Sequence, residues 1–340
     1  MDASRAKLIA AFAAVYIIWG STYLAIRFAI ETLPPFLMAG VRFVIAGGLL
    51  FGWALLRGAK WPEPAHWVGA AVVGTLLLLG GNGAVVWAEQ HVPSGVAALL
   101  VAIVPCWLVL LDWLRPGGPR PTGRVIAGLL LGLAGVALLV GPASLMGAGR
   151  IDPLGALVLV IGSFSWAAGS IYSRQRRLPQ RPLLATGMQM LAGGVALILA
   201  GLVAGEPARL VWSTMSLKSV LALAYLIVFG AIIGYSAYVW LLRASTPARV
   251  GTYAYVNPVV AVILGWALAG EVLTIRMLLA AAVIVSGVVL ITWGPRAPRT
   301  GPAPAASCDA GGDDDERATA TIDASSGGDR SRREPAVGEA

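Results

Sequence analysis

The chain has 340 residues, 58% of them hydrophobic and only 12% charged, with a mean hydropathy of +0.79; soluble domains carry roughly 25% charged residues, so an ordinary soluble fold is excluded. A pI near 9.9 and a net charge of +8 would suit a nucleic-acid binder, but the basic residues fall at the ends of long apolar runs, where they report membrane topology instead. The only cysteines, Cys106 and Cys308, lie in an apolar run and near the C-terminus, which rules out a disulfide framework by spacing.

Ten apolar runs of about 20 residues recur with short polar joints. They predict spans at 8–28, 36–56, 67–88, 94–114, 123–141, 153–173, 183–204, 219–242, 249–270 and 274–294. The runs are continuous rather than alternating, which favours helices over barrel strands and predicts an all-α polytopic membrane protein. The first run flows into Ser21, Thr22 and Tyr23 without a small-x-small cleavage site, so it is expected to be a retained span rather than a signal peptide.

In span one, Tyr16, Trp19, Tyr23 and Arg27 recur at helical spacing beside Gly20, a pattern suited to a cavity wall. Tyr16 and Arg27, near the span ends, suit an interfacial belt equally well. Arg42 in span two is a charge that hydrocarbon penalises by ~2.5–3.5 kcal/mol, so it is expected to face the bundle or to snorkel. Its candidate roles are anion attraction or gating at the outer mouth, with Glu89 as partner; a helix-fixing bridge is the competing account.

Asn82, Val86 and Glu89 share a face of span three. A buried amide needs a partner, either a neighbouring helix or a solute. Glu89 is the acidic candidate for a proton or a cationic group, or for closing the outer mouth. A Val-Pro-Ser-Gly turn then leads into span four, which contains Pro105. Pro105 and Pro258 in span nine each remove a backbone donor, freeing the carbonyls of Val101 and Ala254, and a hinge or kink is expected at both. In span five Gly128 and Gly132 form a GxxxG, which favours close helix packing within the fold or between protomers.

The second half presents Ser163, Trp166 and Ser170 in span six, Gln189 in span seven, Tyr235 and Tyr238 in span eight, and Tyr253 and Asn257 in span nine. The serines suit either a cavity or close packing. Together, Trp19, Tyr23, Asn82, Trp166, Ser170, Gln189, Tyr235, Tyr238, Tyr253 and Asn257 are the expected cavity residues, with Arg42, Glu89, Pro105 and Pro258 as gating or hinge residues. With the N-terminus inside, fifteen Lys and Arg fall on the cytoplasmic side against four outside, which places both termini in the cytoplasm. After Pro295 the composition turns to Gly, Ala, Ser, Pro, Asp and Arg, so residues 295–340 are expected to be a disordered tail.

The halves resemble each other at a spacing of about 150 residues. Trp19 matches Trp166, Arg27 matches Arg174, Arg42 falls on Gln189, Pro105 on Pro258, Arg124 on Arg276 and Gly135 on Gly287, while Asn82 and Glu89 find no counterpart. Repeats of 1–146 and 147–294 with five spans each place the second copy upside down in the membrane, about a pseudo-two-fold axis in its plane.

Three stretches carry a resemblance to a known family: WGSTYLAIRFAIETLPPF, AEQHVPSGVAALLVAIVP and YVNPVVAVILGWALAGEVLT. They resemble the EamA-type drug/metabolite transporter superfamily, in particular its YedA-like inner-membrane branch, over residues 8–294. The resemblance implies a ten-helix fold in which four helices of each half surround a central cavity and the fifth and tenth lie outside. It also implies export of amino acids, metabolites or toxic compounds.

The reading is a secondary transporter in the cytoplasmic membrane, exporting a small amphipathic solute by alternating access. No Walker loop occurs, so ATP is not expected as its direct energy source, and no cofactor motif is found. A membrane enzyme acting on lipid-linked substrates would need clustered catalytic residues, yet His66 and His91 are expected on opposite sides and no HExxH or nucleophile motif occurs. A non-transporting scaffold or channel is the third reading. The expected partners are a small-molecule solute and the lipid bilayer, with a homo-oligomer left open and nucleic acid not expected.

Overall fold

The computed structural model describes residues 5–92, 97, 100–140, 152–175, 178–179, 181–269 and 274–292. The expected tail with Cys308, the joint around Arg150, the positions Pro93–Gly95, Arg176, Arg177 and Glu271 lie outside the described residues. Among the described residues every regular element is helical. The main helices are α1 (Arg5–Ile30), α2 (Pro35–Leu56), α3 (Pro64–Ala88), α4 (Val104–Leu114), α5 (Gly123–Val140), α6 (Pro153–Gln175), α7 (Pro182–Val203), α8 (Leu217–Ala244), α9 (Tyr253–Ala269) and α10 (Ile275–Thr292).

Seven of these helices, α1–α3, α6–α8 and α10, are long and apolar enough to cross a membrane by length and composition. The remaining three expected spans fall on the shorter helices α4, α5 and α9. Proline opens α2, α3, α6 and α7, where its missing N–H would be unpaired in any case. Ser216 caps α8 through the Ser219 amide at 3.1 Å.

Two helix pairs reveal the repeat. α2 and α7 meet through glycine: a Cβ on Gly40 would lie 2.9 Å from the Gly194 carbonyl oxygen and one on Gly194 3.0 Å from that of Gly40. Gly47 and Gly187 repeat the arrangement at 2.9 and 3.0 Å. Such reciprocity is what a two-fold relation between equivalent residues produces. α5 and α10 meet likewise, Gly128 against Gly287 and Gly135 against Ala280 and Ile284. The expected close packing of Gly128, Gly135 and Gly287 is therefore within one chain, while Gly132 seats the ring of Tyr255.

A second feature is shared by α3 and α8. Each is π-helical in its middle, over Thr75–Gly83 and Leu226–Tyr235. The wider i→i+5 turn is uncommon and collects at functional sites. Both segments occupy equivalent places in the two halves and press on the first helix of the other half, α3 on α6 and α8 on α1.

One buried acid gave no signal in the sequence. Glu206, 2% exposed, follows α7 and accepts the backbone N–H groups of Phe36 (3.1 Å) and Leu37 (2.8 Å) at the start of α2. A carboxylate at a helix N-terminus satisfies unpaired donors and complements the dipole. Glu206→Ala is expected to lower stability by roughly 3 kcal/mol or more, since charged hydrogen bonds are worth about 1.5–3 each and two are lost. Thermal unfolding in detergent checks it; a midpoint equal to the parent's would show that the bonds contribute nothing.

Candidate substrate cavity

Residues of both halves converge on one internal cavity. α1 supplies Trp19, Thr22 and Tyr23, α2 Arg42 and Phe43, α3 Asn82, α6 Ser163 and Trp166, α8 Tyr235, and α9 Tyr253 and Asn257. It offers about 90 Å³ to the centres of water-sized molecules, several times the ~10–15 Å³ that one water requires. The walls are aromatic with a few polar groups, the composition of a site for a small organic solute.

The equivalent tryptophans Trp19 and Trp166 meet edge to face with ring centroids 5.5 Å apart. Trp19 also packs 5.0 Å from both Tyr238 and Tyr253. Each indole N–H is held: Trp19 Nε1 donates to the Gly230 carbonyl (3.2 Å) and Trp166 Nε1 to Tyr238 Oη (2.9 Å). The rings fit because glycine faces them from the π segments, Gly81 against Trp166 and Gly234 against Trp19. This cross-matched packing makes Gly81 and Gly234 equivalent, and therefore also their neighbours Asn82 and Tyr235. Asn82 thus has a counterpart after all, hidden because an amide and a phenol share no letter.

Arg42, 3% exposed, donates from Nη2 to Asn82 Oδ1 at 2.8 Å, and its guanidinium lies 4.2 Å from the centre of the Phe43 ring. Its Nε has no hydrogen-bond partner among the described residues. The expected Arg42–Glu89 bridge is corrected: Asn82 takes the hydrogen bond, while among the described residues both buried Glu89 oxygens lack one, in electrostatic reach of Arg27 and Arg42. At the equivalent place in the other half, Tyr235 Oη donates to Gln189 Oε1 at 3.2 Å, and Gln189 Nε2 has no partner among the described residues.

Asn257, with its amide nitrogen turned toward α1, donates to the carbonyls of Tyr253 (3.0 Å) and Tyr16 (3.3 Å). Tyr16 itself is bonded to Thr252 Oγ1 at 2.5 Å. It braces α1 against the break before α9, a role distinct from an interfacial belt.

Among the expected cavity residues, Trp19, Tyr23, Asn82, Trp166, Tyr235, Tyr253 and Asn257 line the space, and so does Arg42. Ser170, Gln189 and Tyr238 stand behind it. Tyr238 Oη lies 2.6 Å from Ser170 Oγ, which donates to the Trp166 carbonyl at 2.7 Å, so this cluster orients Trp166. The prolines differ from expectation. Pro105 sits in the first turn of α4 after a break at 102–103, instead of interrupting a helix. Pro258 is inside α9, but the chain breaks earlier, at Thr252. Each break falls upstream of its proline, and the residues just before the prolines, Val104 and Asn257, are already helical. Thr22, Phe43 and Gly230 also line the cavity. Thr22 follows Trp19 by nearly one turn, the only signal that pointed to it.

Comparison with known proteins adds the family context. The EamA-like transporter family profile matches twice, over residues 6–141 and 153–293. The chain is 46% identical over 288 residues to an Escherichia coli K12 protein described as "Uncharacterized inner membrane transporter YedA", covering 84% of this chain and 91% of that one. It is 26% identical over 297 residues to an E. coli K12 protein described as "Probable amino-acid metabolite efflux pump", covering 83% and 93%. A solved crystal structure superposes with a TM-score of 0.69 at 25% identity, covering 85% of this chain and 98% of that one.

Proposed function

The chain belongs to the EamA-like transporter family, and from that premise we propose that it is a secondary carrier exporting small amphipathic metabolites or toxic compounds by alternating access of its two repeats. The observation that carries the reading is the meeting of the equivalent residues Trp19 and Trp166 in one cavity lined from both halves. A solute held there touches both repeats at once, so rocking one against the other changes its access without moving its site.

The repeats are residues 1–146 and 147–294, with α4, α5 and α9 completing ten spans. α5 has 18 residues, about 27 Å at the helical rise and close to the ~30 Å hydrocarbon core. The excess of Arg and Lys in alternate joints places both termini in the cytoplasm of an inner-membrane protein. In that orientation Tyr23, Arg42, Asn82 and Glu89 lie toward the outer face. Ser170, Gln189 and Tyr238 lie toward the inner face, in the hydrogen-bonded packing behind Trp166 and Tyr235. The aromatic walls favour a solute with an apolar body, and Asn82, Asn257 and Tyr235 supply a few hydrogen-bonding groups to orient it.

The test is counterflow in proteoliposomes across amino acids, their analogues and amphipathic dyes. Saturable uptake, accelerated by the same solute on the opposite side, is the expected result. Its absence across the panel would overturn the carrier reading, and linear, unsaturable flux would identify a channel.

A further inference from the structure

The two hydrogen bonds at the cavity, Arg42 to Asn82 and Tyr235 to Gln189, are one contact written twice. Arg42 and Gln189 hold equivalent positions on α2 and α7, the helices whose reciprocal glycine contacts define the two-fold relation. Asn82 and Tyr235 hold equivalent positions at the C-terminal ends of the two π segments, each beside the glycine that seats the opposite repeat's tryptophan. Each bond therefore ties the second helix of a half to the third of the same half, at opposite ends of the cavity.

Both contacts are incomplete in the same way. Arg42 Nε and Gln189 Nε2 are buried donors without a partner among the described residues. A fully satisfied buried network is rigid, whereas an unpaired buried polar group is costly, so a half-satisfied contact is held less firmly than a complete one. The acidic group is on one side only: Glu89, its oxygens without a partner among the described residues, stands in electrostatic reach of Arg42, and at the spacing that relates Asn82 to Tyr235 its counterpart in the second half is Leu242, which is buried.

We infer that Arg42–Asn82 and Tyr235–Gln189 are the paired gate contacts of the two repeats: access alternates as one contact opens while the other holds. The inference rests on the carrier reading above. The π segments supply the means, because changing the bonding register by one residue turns a side chain by about 100° around its helix. Such a turn withdraws Asn82 or Tyr235 from its partner while the rest of the helix stays packed. Arg42 can then turn to Glu89, so the outer contact exchanges an amide for a carboxylate and the inner one does not. Gln189 is a positioning residue here, acting through Tyr235.

Thiol-labelling rates at paired reporters test the inference without any substrate. In a chain with Cys106→Ser and Cys308→Ser, Ile26→Cys reports the outer end of the cavity, and Ser173→Cys, its repeat equivalent, reports the inner end. Gln189→Leu is expected to speed labelling at position 173 and slow it at position 26, each by at least threefold. Asn82→Leu is expected to do the reverse. A merely structural role loosens the protein and speeds both labels together; that outcome, or no change in either, overturns the inference. Should a single variant fail to reach the membrane, the transplant Arg42→Gln with Asn82→Tyr gives both ends the same contact. The ratio of the two labelling rates should then move toward one, and an unmoved ratio overturns the inference. Parental counterflow is measured alongside: its loss rejects the carrier, whereas normal counterflow with unresponsive labels rejects only the gate pairs.

Discussion

Trp19→Ala is expected to abolish measurable counterflow and to lower stability by roughly 3–5 kcal/mol, the usual range for deleting a packed tryptophan. The indole is the common neighbour of Trp166, Tyr238 and Tyr253, with centroids 5.0–5.5 Å away. Its removal leaves three rings without their central contact, and aromatic pairs contribute about 0.5–1.5 kcal/mol each beyond simple burial. It also removes the donor to the Gly230 carbonyl, which belongs to the π segment of α8. Trp19→Phe separates the two effects. It keeps a ring in the wall and loses the N–H, at a cost of about 1 kcal/mol. Counterflow and thermal unfolding measured on both variants, with transport assayed well below each midpoint, form the check. A Trp19→Ala protein that carries solute at the parental rate would remove this residue from the transport pathway.

Much of this arrangement is legible in the amino-acid sequence, because hydrocarbon allows few exceptions. Unpaired backbone is excluded from lipid, so apolar runs of the right length become helices. A bulky polar-tipped residue such as Trp19 or Trp166 inside such a run needs a protein neighbour or a cavity. Both line the cavity, as does Asn82, the one amide in span three. What stays hidden is decided by packing between distant segments. The π segments carry no composition of their own; their wider turns appear where Gly81 and Gly234 meet the tryptophan of the other half. Glu206 reads as a loop acid, since its partners, the amides of Phe36 and Leu37, lie 170 and 169 residues away in sequence. Arg42 and Glu89 look like a salt bridge by charge alone, yet the amide of Asn82 is the partner that geometry supplies. Pro105 shows the remaining limit: proline reports where a helix cannot continue, not which side of it the break will fall.

The contact between α2 and α7 should tolerate little added bulk, and a single methyl group is enough to show it. Gly47→Ala puts a Cβ 2.8 Å from the Leu191 amide nitrogen and 2.9 Å from the Gly187 carbonyl oxygen, both backbone atoms that no rotamer change can move. Relief requires the two helices to separate, with an expected cost of about 3 kcal/mol or more, at the upper end for overpacking. Gly48→Ala, one residue along, meets nothing within 4 Å and should stabilise by about 0.5–1 kcal/mol, the usual gain from replacing a helical glycine. Thermal midpoints in detergent would order the two variants on opposite sides of the parent. Gly187→Ala should cost about as much as Gly47→Ala, because its Cβ meets the Phe51 nitrogen at 2.8 Å and the Gly47 oxygen at 3.0 Å. The double variant Gly47→Ala with Gly187→Ala is then diagnostic. If the two clashes fall at a single crossing of rigid helices, one separation of the helices relieves both. The combined cost should fall short of the sum of the singles by at least about 1 kcal/mol. Strict additivity would mean that the two clashes are relieved independently, and that α2 and α7 do not move as a rigid pair.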